Sequence, residues 1–199
     1  MEDITLSDND GVSLSAAVLY ADMRHSTLLV DTKNKEFAAK IYKSFLLSTS
    51  MVIRDMGGTI TAFDGDRVMA IFTDNLKNTN AVKTDMLIKY LIYKVNSEIP
   101  QYYKTDYKID FGIGIDTSDI FAVRSGIKGY NDIVWLGRAS NHAAKYSEIG
   151  QNPNNIIISS FVYNNMNDTV KVSNGNNMWT YFSSGLEILY QTNYHWIFY

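Results

Sequence analysis

Cysteine is absent from the 199 residues, which excludes disulfide scaffolds, thiolate zinc sites and thiol nucleophiles. Histidine is scarce, and His25, His142 and His195 lie too far apart in sequence to form a local metal motif. There are two prolines and no Pro-rich linker. Lys and Arg total 18 against 21 Asp and Glu, a net charge of −3, so the basic stripe of a nucleic-acid-binding protein is missing and no nucleic-acid partner is expected. No apolar run approaches the roughly 20 residues of a membrane span, and Met1-Glu2-Asp3 carries the wrong charge for a signal peptide. What is present is ordinary for a globular chain: 46% hydrophobic residues in a length that suits one domain. The expectation is a small, soluble, cytoplasmic protein with no direct membrane insertion and no room for a separate sensor domain.

Periodicity supplies the elements. After a polar, acidic lead-in over residues 1–11, the run Ala16 to Tyr20 reads as a strand buried on both faces, ending at Asp22. A polar turn leads to a helix in which Phe37, Ile41, Phe45, Thr49, Val52 and Met56 recur at three or four residues, ended by Gly57-Gly58. Thr59–Phe63 and Arg67–Phe72 read as a hairpin about Asp64-Gly65, which places Asp66 at the start of a strand. A second helix is predicted from about Asn78 to Asn96, closed by Pro100. Tyr107 to Ile115 alternates as a strand, with Ile120–Val123 as its hairpin partner. Ile133–Leu136, a helix bearing Ala139, Ala143 and Ala144, a strand at Asn155–Ile158 and a short helix from Ser159 follow. The order predicts an α/β (α+β) ferredoxin-like βαββαβ domain with additional C-terminal strands.

In such a sheet the first and third strands are neighbours, so Asp22 and Asp66 can converge at one edge. Two convergent carboxylates suit Mg²⁺ or Mn²⁺, which take oxygen ligands and leave positions open for substrate phosphates. The same residues also fit a helix cap and ordinary turn chemistry, and Asp64 competes with Asp66 across Gly65.

Four segments carry a resemblance. Ala21-Asp22-Met23-Arg24-His25-Ser26-Thr27 resembles the strand-end motif of class III nucleotidyl cyclases, an Asp followed five residues later by Thr. Gly65-Asp66-Arg67-Val68-Met69-Ala70-Ile71-Phe72 resembles their second metal motif. Gly112-Ile113-Gly114-Ile115-Asp116-Thr117 is similar to their Gly-Ile-His-Thr-Gly strand, with Asp116 in place of His. Asp132 to Lys145 aligns with the segment that carries the transition-state Asn and, four residues on, Arg. Four motifs in the right order are far more specific than any one. They assign residues 12–165 to a catalytic domain and leave 166–199 as an aromatic-rich extension packed on it.

The resemblance implies cyclisation of a nucleoside triphosphate with release of pyrophosphate, using two divalent metal ions, Mn²⁺ or Mg²⁺. It places Asp22, Asp66 and the Met23 carbonyl on the metals, Arg24, His25, Ser26 and Thr27 at the phosphates, and Asn141 at the ribose. The cation stabilising the α-phosphate falls on Lys145, a point charge where the family has the bidentate fork of Arg. The positions that read a purine fall on Ala62 and Val134, neither of which hydrogen-bonds a base edge. The motifs around Phe63–Arg67 and Asp132–Ala139, with the tail Tyr190–Trp196, are similar to the bacterial pyrimidine cyclases of the Pycsar antiphage system. UTP is thereby favoured as substrate, with CTP or a purine as alternatives and a decayed, non-enzymatic module as the remaining one. Thr59, Thr61 and Arg124, with Trp135 beside Val134, complete the base-pocket candidates. The resemblance also implies a homodimer with two shared active sites, and a separate effector protein that responds to the cyclic nucleotide. The dense C-terminal aromatics, read as apolar surface, point to a dimer as well.

Overall fold

The computed structural model describes residues 10–127 and 130–196; residues 1–9 of the expected lead-in and the last aromatics, Phe198 and Tyr199, lie outside them. The chain runs β1 (Gly11–Met23), α1 (Ser26–Thr32), α2 (Lys35–Asp55), β2 (Thr59–Asp64), β3 (Arg67–Phe72), α3 (Lys77–Tyr103), β4 (Phe111–Ile127), β5 (Tyr130–Leu136), α4 (Arg138–Ile149), β6 (Ile156–Ser159) and α5 (Ser160–Asn165). A short 3₁₀ turn follows, then β7 (Val172–Ser173), β8 (Asn176–Asn177), β9 (Thr180–Ser184) and β10 (Glu187–Thr192). The main sheet has the order β2-β3-β1-β4-β6-β10-β9, with β5 paired to the far end of β4. The βαββαβ order and the β1–β3 adjacency are as the sequence predicts.

Alternation along β1 explains its unbroken apolar run. Ala17, Leu19, Ala21 and Met23 enter a core shared with α2 and α3, while Ala16 and Val18 enter a second core with Ala139 and Ala143 of α4. Helix α4 lies close against β4 because Gly112 and Gly114 have no side chain. A Cβ at either would collide with the Ser147 or Ala143 carbonyl.

Several expectations need correction. The polar turn after β1 contains helix α1, anchored by one buried residue, Leu29, and too short to show a period. Gly65-Asp66 is the two-residue hairpin turn, with Gly65 at φ +59°, so Asp66 sits in the turn and not on β3. Pro100 does not close α3. Its missing N–H falls in the last turn, and the helix ends at Lys104, φ +48°, whose N–H bonds the Pro100 carbonyl. The strand expected from Tyr107 begins at Phe111 and runs through Ile120–Val123 without a hairpin; its hairpin partner is β5. Asp116 to Asp119 lacks the glycine a tight turn needs, and the Thr117 hydroxyl donates to Ala16 O of β1 at 3.1 Å. Some of the C-terminal aromatics are absorbed inside the protomer, while Tyr181 and Tyr194 stay exposed. Trp179 is buried and donates to Val170 O at 2.7 Å, Tyr190 stacks on Tyr163 at 3.8 Å, and Trp196 joins the larger core.

Helix α3 carries an unusual pair. Asp85 is fully buried with neither carboxylate oxygen hydrogen-bonded, and burial pushes its pKa well up. One turn on, Lys89 donates to Pro153 O and Thr192 O, and burial pulls its ammonium down to about 8. The folded chain therefore keeps a proton on Asp85 that the unfolded chain releases above about pH 4. That contribution to stability is complete below the unfolded pKa and is lost as pH rises toward the folded one. Asp85→Asn is expected to stabilise the protein at pH 7 and to do so less near pH 4. Urea unfolding at the two pH values measures this; a variant less stable at pH 7 would contradict it.

Candidate active site

Asp22 occupies the last turn outward of β1, on the α4 face with Val18 and Tyr20, opposite Arg67 of β3 and Gly112 of β4. Its side chain is 12% exposed. Asp66 reaches the same place from the β2–β3 turn, and the Met23 N–H donates to the Asp66 carbonyl at 3.3 Å. Both aspartates line one cleft of about 350 Å³ with Met23, Arg24, His25, Ser26, Arg67 and Glu148. Burial raises the Asp22 pKa most, the Asp66 charge raises it further, and Arg67 opposes both.

Two of these residues were not singled out from sequence. Arg67 Nε lies 3.2 Å from Asp22 Oδ2, and its outer nitrogen lies 3.1 Å from Glu148 Oε1 at the end of α4. A guanidinium thus sits where a cation would meet Asp22. The signal was a charge directly after the Gly-Asp turn; its partner is 81 residues distant and invisible to local reading.

The expected phosphate turn divides. Arg24 lines the cleft, but its N–H donates to Asp110 O and its guanidinium to the Ser147 and Glu148 carbonyls, each at 2.8 Å. It ties the C-terminal end of α4 to β1, where a cation meets unpaired helix carbonyls. His25 takes a left-handed conformation, φ +55°, before α1, and its exposed ring lies 3.8 Å from Asp110. The first bond of α1 is donated by Leu29, so the N–H groups of Ser26 and Thr27 have no helical acceptor.

Asn141 and Lys145 are exposed, one turn apart on the outer face of α4, and neither lines the cleft of its own chain. The base-pocket candidates split by face. Register places Thr59 opposite Ile71 and Ala62 opposite Met69, both on the α4 side, with a bulge between Ile60 and Ala62. Thr61 is the extra residue of that bulge, and its hydroxyl donates to Met69 O at 3.3 Å. Trp135 packs beside Tyr20 and Ala62 on the same core, its buried indole N–H without a partner. Arg124, opposite Ile133, alternates onto that side, whereas Val134 faces the other way and is exposed. Tyr20, two residues before Asp22 on the same face, is a polar neighbour that sequence reading passed over as part of an apolar run.

The donor set is two carboxylates and a backbone carbonyl, all hard oxygens, which fits Mg²⁺ or Mn²⁺ with substrate phosphates completing the shell. Among the described residues no group of three or more His, Cys, Asp or Glu is arranged to hold a metal ion, at this cleft or elsewhere. No described helix is long and apolar enough to cross a membrane.

Solved structures share this architecture. The adenylyl cyclase CyaB from P. aeruginosa matches with a TM-score of 0.78 at 19% identity, over 92% of this chain and 95% of that one. The guanylyl cyclase Cya2 matches with a TM-score of 0.77 at 20% identity, over 92% and 93%. The fold is that of the class III nucleotidyl cyclase catalytic domain. No family model matches the chain. Curated relatives are more specific: a uridylate cyclase of Burkholderia cepacia is 46% identical over 180 residues, 89% of this chain and 78% of that protein. Another, of Xanthomonas perforans, is 37% identical over 94% of this chain and 83% of its own length. The chain belongs to the uridylate cyclase family.

Proposed function

We propose that this protein converts UTP to 3′,5′-cyclic UMP and pyrophosphate as a homodimer with two shared active sites. The observation that carries the reading is a carboxylate cleft and an exposed Asn141–Lys145 face that one chain does not bring together. The relatives' name, uridylate cyclase, supplies the substrate. The ribose 3′-oxygen attacks the α-phosphorus, the bond to the β-phosphate oxygen breaks, and the hydroxyl proton passes to solvent. Asp22, Asp66 and the Met23 carbonyl would hold two divalent ions, Mn²⁺ or Mg²⁺, which supply acidity at the 3′-hydroxyl and positive charge at the phosphates. Ser26 and Thr27 offer hydroxyls and N–H groups to phosphate oxygens. Asn141 of the second protomer orients the ribose, and its Lys145 meets charge building on the α-phosphate.

The base would lie over Ala62, with Thr59, Tyr20, Trp135 and Arg124 supplying the polar atoms of that face. Phe121, Val134 and Leu136 expose an apolar strip on the β4–β5 arm, which supports burial against a second copy. In this reading the product is a cytoplasmic messenger in bacterial antiphage defence, answered by a separate effector. Incubation with UTP, CTP, ATP or GTP and Mn²⁺, with the products identified by mass, tests it. Cyclic UMP is expected as the main product; a purine or cytidine product, or none, would overturn it.

Arg67 bears on metal loading, because an ion reaching Asp22 must displace or share its guanidinium. Arg67→Ala is expected to tighten Mn²⁺ binding to the nucleotide-free protein about tenfold, or about 1.4 kcal/mol. Electron paramagnetic resonance of unbound Mn²⁺ reads this directly. Unchanged or weaker binding would show that Arg67 does not compete.

A further inference from the structure

We infer that Glu187, on β10 of the C-terminal extension, is a positioning residue that sets the pose of helix α4 and so of Asn141 and Lys145. The inference rests on the cyclase reading above and adds to it a role for a segment outside the four motifs.

Helix α4 begins after Gly137, which offers no capping side chain; the Ser118 hydroxyl of β4 accepts from the Ala139 N–H at 3.1 Å in its place. Its two ends are held from the sheet. At the start, Arg138 meets Asp116 at 3.2 Å and donates to Thr117 O at 2.8 Å. At the finish, Arg24 holds the Ser147 and Glu148 carbonyls. Between them only one flank faces polar partners. His142 and Tyr146, one turn apart, are both engaged by Glu187. Oε1 lies 3.1 Å from His142 Nδ1, and Oε2 accepts from the Tyr146 hydroxyl at 2.8 Å. His142 Nδ1 is also 3.0 Å from that hydroxyl and 3.7 Å from the buried Asp116 carboxylate.

A single half-exposed ion pair contributes little to stability. One carboxylate gripping two side chains a turn apart does something else: it fixes the rotation of the helix about its own axis. Asn141 and Lys145 are the immediate sequence neighbours of His142 and Tyr146 on the next face round. A rotation that frees the second pair swings the first. A displacement of about 1 Å at a reacting centre costs about 10²-fold in rate.

Wild-type, Glu187→Ala, Glu187→Gln and Tyr146→Phe proteins are to be compared for cyclic UMP formation and for amide hydrogen exchange along α4. Glu187→Ala is expected to lower kcat by about 10- to 100-fold with KM for UTP within about twofold, and to speed exchange in α4. Glu187→Gln keeps an oxygen for the Tyr146 hydroxyl and is expected to restore most of kcat; Tyr146→Phe is expected to fall between. In a Lys145→Ala background the loss on adding Glu187→Ala should shrink, because one of the two groups being positioned is gone. Undiminished kcat and unchanged exchange in Glu187→Ala would overturn the inference. So would a kcat loss that is the same size with and without Lys145. Absence of cyclic UMP from the wild type would instead refute the cyclase reading, and exchange along α4 would still decide whether Glu187 holds the helix.

Discussion

Asp66→Ala and Asn141→Ala chains, each inactive alone, are expected to recover about a quarter of wild-type activity when mixed in equal amounts. The fraction follows from two-fold symmetry: about half of randomly paired dimers are mixed, and each mixed dimer has one site with both defects and one with neither. Alone, loss of Asp66 removes one of the two aspartates in the cleft, and loss of Asn141 would remove the proposed ribose contact; a fall of at least about 10²–10³ is expected for each. Asp66 is half-buried in a two-residue turn outside the core clusters and Asn141 lies on an exposed helix face, so neither truncation opens the core. Cyclic UMP formation after co-refolding or co-expression, with mixed dimers counted by tagged purification, is the measurement. No recovery in the presence of mixed dimers would mean that each chain completes its own site, through a movement of α4 toward its own cleft.

The sheet was legible because its signals are local and strong. A doubly buried β1, the hairpin of β2 and β3 and the alternation around Ile113 are each signals that the sequence cannot hide. The errors arose where tertiary contacts replaced local chemistry. Asp116 reads as part of a turn, yet it is fully buried, its carboxylate met at 3.2 Å by the guanidinium of Arg138, more than twenty residues on. Pro100 reads as a stop, yet the helix continues for most of a turn past it and forgoes only the one bond that an N–H at Pro100 would have made to the Asn96 carbonyl. The tail aromatics read as surface because hydrophobicity says nothing of which side of a sheet edge it will cover.

At the site, single residues with a fixed spacing were readable, and their partners were not. Asp22, Asp66 and the Asn141–Lys145 pair stand in motifs whose order limits their placement. Arg67 with Glu148, and Glu187 with His142 and Tyr146, are pairings between segments 41 to 81 residues apart. No periodicity announces them. The base-pocket candidates show the same limit from another side: Trp135 and Val134 are adjacent in sequence and were grouped together, yet strand alternation sends them to opposite faces.

Lys145→Ala is expected to lower kcat by about 10²–10³ while leaving the thermal midpoint and the dimer intact. The second half of that statement comes from exposure: a solvated residue on an outer helix face contributes within about 0.5 kcal/mol of stability. The first half rests on the proposed dimer, in which the ammonium would be brought into a closed site and would meet charge that grows only as the α-phosphate is attacked. An interaction made chiefly in the transition state lowers kcat and kcat/KM together and leaves KM for UTP nearly unchanged. Lys145→Arg keeps the charge and adds a fork that this site was not shaped for, so it should retain activity to within about tenfold. Steady-state pyrophosphate release across a range of UTP concentrations separates the two parameters. A Lys145→Ala enzyme within threefold of wild type would return this residue to the role of a solvated lysine. A KM rise with unchanged kcat would make it a ground-state phosphate contact, and the charge on the α-phosphate would then have to be met by groups on the cleft side of the interface.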